Sequence, residues 1–188
     1  MLRVVGEVNE WAPLLFARSA GGGGGLVGIG WLIPIVGFWF GRVLAANGHV
    51  VPDRGRALRR CGLGLFGVVI AFALGRLVLP VAVGTFVFVL AALAVCAVAA
   101  FAAWPTLARV LLAYALLARL PTVAVTIVAV ANDWGTHYEQ LAPGSPPMGD
   151  GARTLVLCAA QFGIWIPLTL LIGGFVGALA VRRSTATS

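Results

Sequence analysis

The stretch from Trp104 to Asp133, WPTLARVLLAYALLARLPTVAVTIVAVAND, sets the terms for the whole chain. It is apolar enough to cross a bilayer, yet it carries Arg109 near one end and Arg119 deep inside. A charge at mid-bilayer costs roughly 3 kcal/mol on insertion scales, so such a residue faces other helices and is paired. Composition agrees with the lipid setting. Of 188 residues, 61% are hydrophobic and 10% charged, against roughly 25% charged in a soluble domain. A water-soluble fold of this length cannot hide that much apolar surface. Several runs reach the ~20 residues that span ~30 Å of hydrocarbon.

The expected fold is an all-α polytopic membrane helix bundle with about five transmembrane helices. The spans are placed at 26–46, 61–79, 81–103, 105–131 and 153–181. Four spans are the alternative, with 26–46 re-entrant or 61–79 not crossing. Residues 1–25 form an interfacial or flexible segment. Their apolar spacing approaches i, i+3 (Leu2, Val5, Val8, Trp11), with Pro13 interrupting it and Gly21–Gly25 reading as a linker. Residues 26–183 form one transmembrane domain, and 184–188 a polar tail.

Within the spans, Gly37/Gly41 and Gly173/Gly177 are small-xxx-small pairs suited to close helix packing. Pro34 and Pro167 predict kinks, and Pro121 a bend. Gly62, Gly64 and Gly67 match the letters of a dinucleotide fingerprint, but no strand precedes them, and helix packing explains them better. Cys61, Cys96 and Cys158 follow no motif spacing and read as small buried apolar residues.

The basic residues are 13 Arg and no Lys, giving a formal charge of +7. They sit at the ends of apolar runs, where they orient membrane proteins, so a nucleic-acid partner is rejected. The Arg-rich, Lys-free composition suggests a GC-rich bacterial genome and hence a bacterial inner membrane. With five spans and the N-terminus outside, eight Arg lie inside (Arg42, Arg54, Arg56, Arg59, Arg60, Arg109, Arg182, Arg183) and four outside (Arg3, Arg18, Arg76, Arg153). The basic loop 47–60 and the C-terminus are therefore expected in the cytoplasm. That loop reads first as a topology anchor, and more sharply as a contact for anionic lipid.

Two constellations could carry chemistry. Arg119, Thr122, Thr126 and Asp133 share a helix face by i, i+3, i+7, i+14 spacing. Thr154, Cys158, Gln161, Trp165 and Thr169 share one on the fifth span. In antiparallel helices the depths of Arg119 and Gln161 differ by only ~6 Å, so Gln161 is the expected partner of Arg119. The plainer reading is interhelical polar glue, or an Arg119 that snorkels past Pro121. The sharper one is a ligand or ion seam. The second constellation is the loop with Asp133, His137, Tyr138 and Glu139. His-x-Glu plus Asp could do acid–base work, although Trp134 and Tyr138 equally suit ordinary interfacial packing. No second histidine is near and no zinc motif matches, so no metal is assigned.

No P-loop, Gly-x-Ser-x-Gly or His-Glu-x-x-His motif occurs. No catalytic residue and no cofactor are assigned, and the chain leans away from being an enzyme. The leading expectation is an accessory or scaffold subunit packing through its glycine faces. The alternative is a small transporter or channel-like protein using the Arg119 seam. The third is a lipid-modifying membrane enzyme using His137 and Glu139. Expected partners are the lipid bilayer, other membrane subunits and self-association.

Overall fold

The computed structural model describes residues 2–19, 30–78, 82–142 and 144–181. The glycine run, Pro80 and the tail fall outside the described residues. All regular elements within them are helical: α1 (Leu2–Val8), α2 (Leu32–Ala46), α3 (Arg54–Val78), α4 (Ala82–Ala103), α5 (Pro105–Asn132), α6 (Asp150–Ala160), a π-helical turn (Gln161–Trp165) and α7 (Ile166–Ala180). Four helical runs are long and apolar enough to cross a membrane: Arg54–Gly75, Gly84–Ala103, Pro105–Asn132 and Asp150–Ala180. Helix α2 is apolar but shorter, with 15 residues, or about 22 Å at 1.5 Å per residue. The chain is a multi-pass helical membrane protein.

Its residues form two compact units. The larger comprises Trp31–Leu116 and Gly163–Ser188. Helix α7 is its centre and packs against α2, α3 and α4. The glycine pairs explain how. A Cβ on Gly37 would stand 2.5 Å from the Gly173 carbonyl oxygen, and one on Gly41 2.6 Å from that of Gly177. On the same two residues of α7, added Cβ atoms would meet Leu111 at 2.9 Å and Leu107 at 2.5 Å. Only bare glycine lets the α2 and α7 backbones touch, so both small-residue faces are used up inside this chain. Around them lies a core of Ala57, Cys61, Ala97, Ala100, Trp104, Leu107, Leu111, Ile166 and Leu170. Leu63, Phe66, Val69 and Leu77 of α3 point outward as lipid-facing surface.

The start of α3 corrects the expected loop. Residues 47–60 are not loop throughout, because the helix begins at Arg54 rather than Cys61. Asp53 is the reason: its Oδ1 accepts the Arg56 backbone N–H at 2.9 Å, an N-terminal cap. The Arg56 N–H and guanidinium hold the Asp53 carboxyl below its ordinary range. Two of the clustered arginines then cap other helices. Arg54 Nε donates to Ala178 O at 3.0 Å, and Arg60 Nη1 to Ala102 O. Both satisfy carbonyls at helix C-termini, where the helix dipole also favours a cation.

The fifth span carries its irregularity ahead of Pro167. Proline has no N–H to give to the carbonyl four residues back, and its ring crowds that carbonyl. The π-turn at 161–165 widens the helix where this conflict falls, and Gln161 opens that turn.

The smaller unit comprises the N-terminal 30 residues and Leu117–Phe162. Helix α1 closes on a Schellman turn: Trp11 N–H reaches Gly6 O at 2.8 Å, Glu10 N–H reaches Glu7 O at 3.2 Å, and Glu10 takes φ 55°. Phe16 folds back over Gly6, leaving no space for a side chain there, and stacks edge-on with Trp11 at 5.4 Å. Helix α5 ends the same way, with Asp133 at φ 48° and Trp134 N–H on Ala129 O at 3.4 Å.

Candidate functional site

The expected pairing of Arg119 is present. Its Nη1 donates to Gln161 Oε1 at 3.3 Å, and Arg119 is only 4% exposed. The π-turn presents that amide at its first residue. Thr126, two turns of α5 beyond, is also buried, while Thr122, one turn beyond, is half-buried and turns its hydroxyl back to Ala118 O at 3.4 Å. Asp133 does not continue the stripe. It lies past the end of α5, exposed, in the left-handed conformation that stops the helix. Asp tolerates that conformation better than most side chains, which accounts for its presence.

The second constellation divides differently from the sequence pattern. Glu139 and His137 do not act on a common point. Glu139, 2% exposed, turns inward and accepts the backbone N–H groups of Thr136 at 2.8 Å and Trp134 at 3.1 Å. It is the scaffold of the 134–139 turn. His137 instead meets Glu7 of α1. Its Nδ1 lies 2.6 Å from Glu7 Oε1, and its backbone N–H donates to Glu7 Oε2 at 2.9 Å. Glu7 is fully buried and also accepts from Arg3 Nε at 2.7 Å. Tyr138 lays its ring against the imidazole, centroids 3.9 Å apart.

Arg3 and Glu7 were missed as site residues. Their signal was available: an i, i+4 charge pair inside an otherwise apolar heptad, LRVVGEV. The long-range half, a carboxylate meeting a histidine 130 residues later, has no local signature.

Electrostatics in this unit follow from burial and two arginines. Burial pushes the His137 imidazole below its ordinary value of 6.5; Glu7 works against that shift and Arg3 with it. Burial raises the Tyr138 hydroxyl, while Arg3 and Arg119 both pull it down and Glu7 pushes it up. Arg119 and Arg3 are thus both within electrostatic reach of one phenol. The Thr136 hydroxyl is buried with no hydrogen-bond partner among the described residues. A cleft of about 380 Å³ is lined by Glu139, Gln140, Ser145, Met148 and Arg153. Neither His137 nor Arg119 lines it. Among the described residues, no group of three or more His, Cys, Asp or Glu is placed to hold a metal ion.

No protein-family model, no curated protein and no solved structure matches this chain. Its function rests on the geometry alone.

Proposed function

We propose that this is a small channel- or transporter-like membrane protein that handles a small anion at the Arg119 seam. One observation carries the reading: Arg119, only 4% exposed, donates to the Gln161 side chain, with the Thr126 hydroxyl-bearing side chain buried on the same helix. Ionisable residues held inside membrane helices are costly and are retained where a polar solute or ion is handled. Arg119, Thr126 and Gln161 supply the donors that a chloride or carboxylate requires. The accessory-subunit reading loses its main surface, because Gly37, Gly41, Gly173 and Gly177 are consumed within the chain. The lipid-enzyme reading loses its pair, because Glu139 braces the turn while His137 engages Glu7.

The protein acts, on this reading, in a bacterial inner membrane, with the 47–60 segment and the C-terminus cytoplasmic and the 132–152 loop opposite. The lipid bilayer is its partner, and self-association is compatible with the outward apolar faces. Chloride and acetate efflux from loaded proteoliposomes tests the function. Wild-type protein raises the efflux of at least one anion above that of empty liposomes, and Arg119→Leu returns it to the empty rate while still inserting. Wild-type efflux no faster than empty liposomes for both anions overturns the proposal.

A further inference from the structure

Five helix ends meet at one end of the larger unit. Gly37 meets Gly173 and Gly41 meets Gly177 in the same order, so α2 and α7 run parallel and finish together. Arg54 at the start of α3 bonds to Ala178 O at the end of α7, and Arg60 to Ala102 O at the end of α4. Only Trp104 separates α4 from α5. Among the described residues, this end carries six arginines (Arg42, Arg54, Arg56, Arg59, Arg60 and Arg109) and one carboxylate, Asp53. Arg54 and Arg60 are spent on helix carbonyls, and Arg56 faces Asp53 at 3.5 Å. Arg42, Arg59 and Arg109 are exposed and have no hydrogen bond or ion pair among the described residues.

Each of these three arginines tops an outward apolar stripe. Ile35 and Phe38 lie seven and four residues before Arg42, Leu63 and Phe66 four and seven after Arg59, and Leu116 seven after Arg109; all are exposed. Residues at those spacings share a helix face, so each arginine crowns a strip of helix that faces acyl chains. Their levels agree as well. Arg42 is four residues from the end of α2, while Arg109 and Arg59 are four and five from the starts of α5 and α3. All three therefore sit ~6–8 Å in from the helix ends. A guanidinium at that level reaches headgroup phosphate while its methylenes lie along the apolar strip. We propose that Arg42, Arg59 and Arg109 form a binding surface for anionic phospholipid at this end of the larger unit. Lipid fits better than a soluble phosphate, because each cation is joined to a strip that a fatty acyl chain covers. A guanidinium can hold a phosphate through two parallel N–H donors. An anionic headgroup gains from the unspent charge, whereas a zwitterionic one brings its own cation to the same surface. Helical side chains tilt toward the N-terminus, so Arg59 and Arg109 aim at the headgroups, and Arg42, near a C-terminus, bends back to reach them.

This surface is separate from the Arg119 seam, and its readout is binding rather than flux. Native mass spectrometry of the detergent-solubilised protein, offered phosphatidylglycerol and phosphatidylcholine with the same acyl chains, measures the lipid retained. Wild type prefers phosphatidylglycerol by about twentyfold or more. Arg59→Gln and Arg109→Gln each lower that preference about fivefold, the weight of one arginine at a lipid surface. Arg42→Gln lowers it less. Arg153→Gln removes the same charge from the smaller unit and leaves the preference unchanged. Glycerol 3-phosphate in large excess does not displace the bound lipid. The proposal is overturned by a wild type with no preference, by a preference untouched in Arg59→Gln and Arg109→Gln, by an equal loss in Arg153→Gln, or by displacement with glycerol 3-phosphate.

Discussion

At the scale of the residue, Arg119 and Glu139 represent two ways a buried charge is kept. Arg119 shares a hydrogen bond with a neutral amide on another helical run. Truncating one partner of such a pair strands the other. Gln161→Leu should therefore lower thermal stability in detergent, and adding Arg119→Leu should recover part of the loss. The coupling in a double-mutant cycle should be about 1 kcal/mol; strictly additive losses would show that the pair contributes nothing. Glu139 instead organises its own turn through two backbone donors. Glu139→Gln keeps the shape but removes one acceptor, and should cost about 2 kcal/mol in chemical denaturation of the detergent-solubilised protein. Unchanged stability there would return Glu139 to the list of free acids available for chemistry.

At the scale of the element, the α2–α7 contact brings two helix backbones together at Gly37 and Gly41. Gly37→Ala puts a methyl 2.5 Å from a backbone oxygen that cannot rotate away. It should destabilise by about 3 kcal/mol or more, as overpacking against backbone does. Gly84→Ala, where a Cβ meets nothing within 4 Å, should be neutral or slightly stabilising, since alanine is the better helix former. Equal melting temperatures for the two variants would refute the contact. The helix ends carry a further expectation. Asp133 stops α5 with positive φ, so Asp133→Gly should hold or raise stability, because glycine adopts that conformation freely. A marked loss would mean that the carboxylate serves something other than the turn.

At the scale of the whole molecule, topology is the open prediction. Arg56→Cys and Pro147→Cys, in a background with the native cysteines replaced, place labels on exposed positions of the two polar segments. They should react with impermeant reagent from opposite faces of the membrane, and labelling from one face would end the odd-span arrangement. Much of this architecture was legible beforehand, because run length in a bilayer leaves little choice. The apolar runs mark the helices, and depth counting matched Arg119 to Gln161 across 42 residues. The rest turned on contacts without a local pattern. Asp53 caps α3 and pulls its start back into the basic segment. Arg54 and Arg60 read as surface charges until the helix ends they cap are in place. Glu7 reads as an interfacial acid until His137 arrives beside it.

The central position of α7 has a consequence for biogenesis. The ribosome makes α2, α3 and α4 before α7, yet all three depend on it for their inner faces. The groove at Gly37 and Gly41 therefore waits in lipid or against an insertase while more than a hundred residues are still being synthesised. A nascent chain halted before Ile166 carries apolar helices with no partner to close on, a ready substrate for membrane quality-control proteases. Assembly of the larger unit is in this sense a late event, completed when its last helix slides against the glycines made first.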